Sequence, residues 1–281
     1  MPFKAKWENT TPADPSTVTI APSVGDFLLA CYVNDSNTAN DFTPPAGWTE
    51  LCELKNNTDN QGFVVWSRVA DGTETSISFD ANSGNVGISF VLSFDGVSQT
   101  VPLDVTPVTF NNNTSDTTSD LSITPVSNGC DIVLLFGNDR GSSGDTSFTF
   151  STQSGTTGAW TNRADITSGF MNAAAGVTSQ SVAGAITARC TTDVAGGRSG
   201  IIIALRPAAS IEQEGFRFGA DDGAEDTHTW IDSQDVSVTQ PAAQNLILSV
   251  LVNATNAPGA TTFKLQHRKV GDTNWIDTPL Q

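Results

Sequence analysis

The chain has 281 residues, with 13 lysines and arginines against 30 aspartates and glutamates, and a net charge of -17. It has no basic excess to neutralise a nucleic-acid backbone or an anionic membrane, so we expect neither as a partner. Its 36 Thr, 27 Ser and 20 Asn, with 15 Phe and 6 Trp, favour β-strands joined by turns around a packed core. The length suits one large β domain followed by a smaller one.

Short apolar segments recur along the first 206 residues, separated by clusters of Gly, Asn, Asp and Pro. The predicted strands span residues 16–21, 26–34, 48–54, 62–69, 76–79, 86–94, 131–137, 147–150, 181–189 and 200–206. Long helical periodicity is absent, and the Ala-rich run 172–176 is too short for a helix. The pattern predicts an all-β fold, with a jelly-roll-like antiparallel β-sandwich over residues 1–207.

A weak internal repeat is visible at an offset of 104 residues. Four residues around one predicted strand recur around another: Ser23, Gly25, Asn34 and Asp35 match Ser127, Gly129, Asn138 and Asp139. This predicts two similar halves, about 1–106 and 107–207, neither of which covers its own apolar face alone. Convergent strand composition is the alternative explanation.

A second unit is predicted after a linker over residues 208–213. Its strands span 215–219, 228–231, 236–239, 245–253, 261–270 and 274–277, and the alternation in 263–268 places Phe263, Leu265 and His267 on one side. The pattern resembles the middle strands of an immunoglobulin or fibronectin type III domain. Such domains have about seven strands in about 100 residues, and this sequence ends at Gln281, 67 residues after Glu214.

An incomplete sandwich exposes an apolar face and open strand edges. We therefore predict that a neighbouring subunit completes residues 214–281, with Phe263, Leu265 and Trp275 as inter-subunit contacts. A compact variant that covers itself is the alternative.

Catalytic patterns are weak. The sequence has no G-x-S-x-G nucleophile motif for which His228 or His267 could act as the base. We predict a surface position for His228 and a packed ring for His267. Paired carboxylates could hydrolyse glycosides, but Glu50 and Glu53 differ by three in an extended segment and are expected to face opposite sides. Asp139 and Asp145 are expected in a solvated loop.

We therefore predict no catalytic residue, no metal ligand and no cofactor. The acidic run 221–226 could hold calcium through its oxygens. It lacks the alternating spacing of a calcium-binding loop, which favours a hairpin turn.

Two tryptophans have similar Gly/Thr-rich surroundings, Trp48 in 46–49 and Trp160 in 158–161. Exposed aromatic faces beside polar groups can stack on sugar rings, so both are candidate glycan contacts, with core packing as the alternative. The cysteines, Cys31, Cys52, Cys130 and Cys190, lack metal-ligand spacing and are predicted to be reduced and mostly buried.

Several segments resemble β-sandwich proteins found among tailed-phage structural and tail-associated genes. They are Gly-Asp-Phe-Leu-Leu at 25–29, Pro-Ala-Gly-Trp-Thr-Glu-Leu at 45–51, Val-Trp-Ser-Arg-Val-Ala at 65–70, Phe-Asp-Gly-Val at 94–97 and Pro-Leu-Asp-Val at 102–105. A module that is often appended to such virion proteins is similar to four further segments, residues 213–218, 221–223, 229–230 and 265–271. That module usually continues past the equivalent of Trp275.

The resemblance implies a virion protein that folds in the host cytoplasm, for which no signal peptide is expected. It implies a non-enzymatic surface role of the capsid-decoration type, as a cement protein or head fibre, with other copies of the chain and other virion proteins as partners. A tail-associated adhesion module that binds host surface glycans is the alternative.

Overall fold

The computed structural model describes residues 3–35, 42–56, 61–80, 86–139, 147–168, 171–220, 229–239, 246–255, 266–267 and 276–277. All regular elements in these ranges are β-strands, which confirms the all-β prediction. The strands are β1 (Phe3–Ala13), β2 (Ser16–Thr19), β3 (Phe27–Asp35), β4 (Thr49–Asn56), β5 (Gln61–Val69), β6 (Ser76–Phe79), β7 (Gly87–Phe94), β8 (Val108–Ile123), β9 (Cys130–Asp139), β10 (Phe148–Ser154), β11 (Thr161–Ser168), β12 (Met171–Gln180), β13 (Ile186–Leu205), β14 (Ser210–Ala220), β15 (Leu246–Thr255), β16 (Gln266–His267) and β17 (Ile276–Asp277). Contacts divide the chain into an N-terminal unit ending at Ala208 and a C-terminal unit beginning at Ala209.

The N-terminal unit contains two large antiparallel sheets that pack face to face. The first has the strand order β1-β7-β3-β5-β4, and the second β10-β13-β9-β12-β11 with β8 also paired to β13. One cluster of buried side chains joins them, including Leu29 and Val65 from the first sheet and Leu135 and Ile203 from the second. This arrangement is a β-sandwich.

Each sheet is also covered on its outer face. Leu28, Ala30 and Tyr32 alternate with the inter-sheet residues of β3 and pack against the small β2–β6 pair. On the second sheet a separate outer cluster includes Leu134 and Phe136. Burial on both faces explains why β3 and β9 are almost continuously apolar.

The two sheets share a strand order. In the first half the order is β1-β7-β3-β5-β4, and in the second it is β8-β13-β9-β12-β11. The strand pairing identifies equivalent residues in the two halves. Phe27 of β3 pairs with Val69 of β5, and at the equivalent positions Asp131 of β9 pairs with Ser179 of β12. Gly25 and Gly129 precede the equivalent strands, and both have positive φ, 84° and 73°. Glycine suits these turns because other residues rarely adopt that conformation.

The described part of the C-terminal unit is a two-stranded antiparallel ribbon of β14 and β15. Trp230 forms an isolated bridge with Gly219, and β16 pairs with β17. The jelly-roll and immunoglobulin-like details remain predictions. Within the described ranges, no helix has the length and apolar character needed to cross a membrane.

Candidate ligand-binding cleft

A polar cleft lies where the first residues of β1, β9 and β11 meet the last residues of β12. Its volume is about 260 Å³. Its polar lining residues are Asp131, Thr161, Arg163, Thr178 and Ser179, and Phe3 supplies an aromatic wall.

Arg163 reaches this cleft from an irregular point in β11. The β11–β12 register shifts between Asn162 and Ala164, so Arg163 is the extra residue of a β-bulge. A bulge bends its strand and redirects the extra side chain. The guanidinium carbon lies 4.4 Å from the centre of the Phe3 ring, in a cation–π contact.

Arg163 has no hydrogen bond or ion pair within the described part of the chain, and its buried Nε has no acceptor. The other described lysines and arginines all have oxygen partners, such as Asp104 for Arg206 and the Asp232 carbonyl for Arg217. An unsatisfied buried donor costs free energy, so the Arg163 guanidinium is a ready site for an acceptor.

Asp131 supplies the carboxylate of the cleft and is only 3% exposed. Burial raises the pKa of its carboxyl to about 6, although the positive charges of the amino terminus and of Arg163 act in the opposite direction. Thr178 donates its hydroxyl hydrogen to the Gly158 carbonyl at 2.8 Å, which orients the hydroxyl beside the cleft. The cleft therefore offers a cation, a carboxyl and hydroxyl groups, a set suited to a small polar ligand.

The tryptophans predicted from the sequence lie in different environments. Trp48 is 9% exposed and packs in the outer cluster of the first sheet. Trp160 is half-buried, stacks on Phe150, and donates its indole hydrogen to Thr152 at 2.9 Å. Its chain neighbours Ala159 and Thr161 line the cleft. Glycan contact by either ring stays a prediction.

The expectation that Glu50 and Glu53 face opposite sides was wrong. Glu50 pairs with Trp66 and Glu53 with Val64, because a register shift before Cys52 inserts one extra residue into β4. The two glutamates therefore share a face. Burial and the nearby Glu53 raise the pKa of Glu50, whereas Glu53 has ion-pair and backbone partners in Lys55 and the Phe42 amide.

Other predicted positions lie outside the described residues. These are Phe263, Leu265 and Trp275, the acidic run 221–226, Asp145 and His228, while His267 lies in β16. Within the described ranges, no group of three or more His, Cys, Asp or Glu side chains could hold a metal ion.

All four cysteines are buried and unbridged, as predicted. Burial raises the pKa of each thiol, to about 12 for Cys52 and Cys130. The thiols therefore stay protonated at neutral pH and are poor nucleophiles.

Sequence reasoning missed Arg163 and Asp131. Arg163 could have been identified from a local sequence similarity between residues 46–51 and 158–163. Aligning the two segments places Trp48 opposite Trp160 and Leu51 opposite Arg163. Asp131 carries no comparable motif, because its importance depends on which strands meet around it.

No protein-family model, no curated protein and no solved structure matches this chain.

Proposed function

We propose that this chain is a non-enzymatic phage virion surface protein of the capsid-decoration type, which associates with copies of itself and with other virion proteins. Strand β15 carries the association part of the proposal, and the sequence resemblance to virion proteins supplies the setting. The C-terminal unit makes the contacts, and the sandwich is the rigid body that they attach to the particle.

Strand β15 is apolar on both faces. Its sequence from Leu246 to Val252 contains one polar residue, Ser249, a pattern typical of a strand with both faces buried. Yet Leu248, Val250 and Val252 are 39–40% exposed and Leu251 is 53% exposed. Clustered apolar exposure of this kind marks an interaction surface, whereas scattered exposed apolar residues are normal.

The N-terminal sandwich has the construction expected of a scaffold. Both faces of its two large sheets contain buried clusters. The described part of the C-terminal unit is, in contrast, a two-stranded ribbon, and such a ribbon is marginal alone in water. Association through β15 would bury its apolar surface and stabilise this ribbon.

Light scattering after size exclusion, on the protein alone and mixed with empty capsids, tests the proposal. We expect a stable oligomer or saturable capsid binding. Leu251→Asp should lower the affinity of that association at least tenfold, because a charge would be buried in the interface. Val182→Asp is the matched control, since Val182 is 68% exposed in the N-terminal unit. A monomer that does not bind capsids, with a protease-resistant C-terminal unit, would contradict the proposal.

The second proposed function is that of a tail-associated module binding host surface glycans. The observation that favours it is the polar cleft beside Trp160, lined by Ala159 and Thr161. A glycan array probed with the wild type and with Trp160→Ala tests it, with circular dichroism to verify folding because the Trp160–Thr152 hydrogen bond is lost. Array binding that depends on Trp160 would support glycan recognition, and an array without any bound glycan would oppose it.

A further inference from the structure

The two halves of the sandwich differ in chemistry at equivalent positions. In the first half Phe27 pairs with Val69, and Leu51 is the extra residue of the bulge in β4. All three pack with the inter-sheet core. The second half has Asp131 paired with Ser179, and Arg163 in the equivalent bulge of β11.

The fold does not require charge at these positions. The first half builds the same strand pairings and the same bulge with apolar side chains, which gain free energy from burial. Burying part of the Arg163 guanidinium instead costs free energy unless its donors find acceptors. Local violations of otherwise consistent packing are expected at functional sites.

The geometry of Arg163 indicates what the missing partner is. A guanidinium has five N–H donors in a planar fork that matches the two oxygens of a carboxylate. The guanidinium lies over the Phe3 ring in the cation–π contact at 4.4 Å, and its buried Nε has no acceptor among the described residues. A pre-oriented donor fork on the wall of a cleft is suited to an anionic group brought by a ligand.

We propose that this cleft binds one sugar residue bearing a carboxylate, of the uronic acid class. The Arg163 guanidinium binds the sugar carboxylate, while Asp131 and the hydroxyls of Thr161 and Ser179 bind the ring hydroxyls. This proposal rests on the second function above and names the ligand class for it, and it is independent of association through β15.

The other charges of the site restrict the ligand further. Asp131 lies in the same cleft, so a doubly charged phosphate would be repelled more than a carboxylate with one charge. A cleft of about 260 Å³ is slightly below the range of pockets for drug-sized ligands, roughly 300 Å³ and upward. It therefore accommodates a single residue of a glycan rather than a longer segment.

Calorimetric or NMR titration of the full chain with methyl glucuronide and with methyl glucoside tests the proposal, since these probes differ in the carboxylate. We expect the glucuronide to bind at least tenfold more tightly than the glucoside. Arg163→Leu, which introduces the residue found at the equivalent position 51, should fold and lose this preference. Arg189→Leu is the matched control: it removes the same charge from the same sheet, where Arg189 pairs with Asp120, and should leave binding unchanged.

Each other outcome overturns the proposal in a distinguishable way. Equal binding of both sugars, or a preference that survives in Arg163→Leu, removes the carboxylate contact but leaves glycan binding in place. If neither sugar binds, and the glycan array also shows no bound glycan, the cleft proposal and the second function both fail. The mass measurements then decide the association proposal separately.

Discussion

At the scale of single residues, Asp104 illustrates how one buried carboxylate can connect several segments. Its side chain is fully buried and accepts hydrogen bonds from the amides of Val126 and Ser127, at 2.6 and 3.0 Å, and from Arg206 Nε at 3.0 Å. Burial by itself would raise its pKa, but the hydrogen bonds from Ser127, Val126 and Arg206 outweigh burial and lower the pKa below its usual value. The carboxylate thereby joins the turn before β9 to the end of β13.

We expect Asp104→Ala to lower the free energy of unfolding by about 3 kcal/mol, because it leaves two amides and the Nε–H of Arg206 without their acceptor. Asp120→Ala is the control. Its pair with Arg189 is exposed on both sides, so the loss should be below about 1 kcal/mol. Urea unfolding of both variants measures the difference, and equal losses would contradict the role assigned to Asp104.

The pH dependence of stability that is linked to Asp131 should have the opposite sign to that of most carboxylates. Its native pKa of about 6 exceeds the value of about 3.9 in an unfolded chain. The native state therefore holds this proton more tightly, and the stability linked to it is present below about pH 4 and is lost as the pH rises through about 6.

Asp131→Asn cannot ionise and should avoid that loss. We expect its stability relative to the wild type to be roughly 2 kcal/mol more favourable at pH 7.5 than at pH 4. Urea unfolding at several pH values measures this. Asp120→Asn should show a small trend of opposite sign, because the Arg189 hydrogen bond lowers the pKa of Asp120.

At the scale of elements, β12 shows why a sequence of small residues forms a central strand. It contains Ala173, Ala174, Ala175 and Gly176, all in a strand paired with β9 on one side and β11 on the other. Small side chains leave room for larger neighbours on both faces. A Cβ at position 176 would collide with the ring of Phe150, so the glycine creates the space that this ring fills.

We expect Gly176→Ala to lower the free energy of unfolding by about 1–3 kcal/mol through overpacking against Phe150. The same substitution should cost less in a Phe150→Leu background, where the ring is absent. A double-mutant cycle measured by thermal unfolding gives the coupling, and additive effects would show that the Phe150 ring is not the cause.

Sequence patterns predicted strands well where apolar residues dominate, as in β3, β5 and β7. They missed β1, β8, β11 and β12. Strand β8 contains Asn111–Asn113 and several Thr and Ser residues, which a pattern search interprets as a turn, and pairing with β13 alone makes it a strand. In β12 the small residues give no periodic signal, and their neighbours determine the conformation.

At the scale of the whole molecule, the contacts divide the chain at Ala208 and Ala209. The N-terminal unit has its own buried clusters, whereas β15 in the described ribbon of the C-terminal unit exposes Leu248, Val250, Leu251 and Val252. We expect residues 1–208 expressed alone to fold cooperatively and remain monomeric. Calorimetry should give a midpoint within a few degrees of the main transition of the full chain, and light scattering should show no self-association. An oligomer of 1–208 would place the association surface on the sandwich instead.

The sequence by itself determined the all-β class, the buried reduced cysteines and most apolar strands, because these depend on composition and on local alternation. It also contained the repeated residues around β3 and β9. Only the tertiary structure decided that Glu50 and Glu53 share a face, since one bulge residue reverses the alternation that a strand pattern assumes. The cleft likewise depends on tertiary structure, because Phe3, Asp131 and Arg163 lie far apart in the chain and meet only when the two sheets bring the first residues of β1, β9 and β11 together.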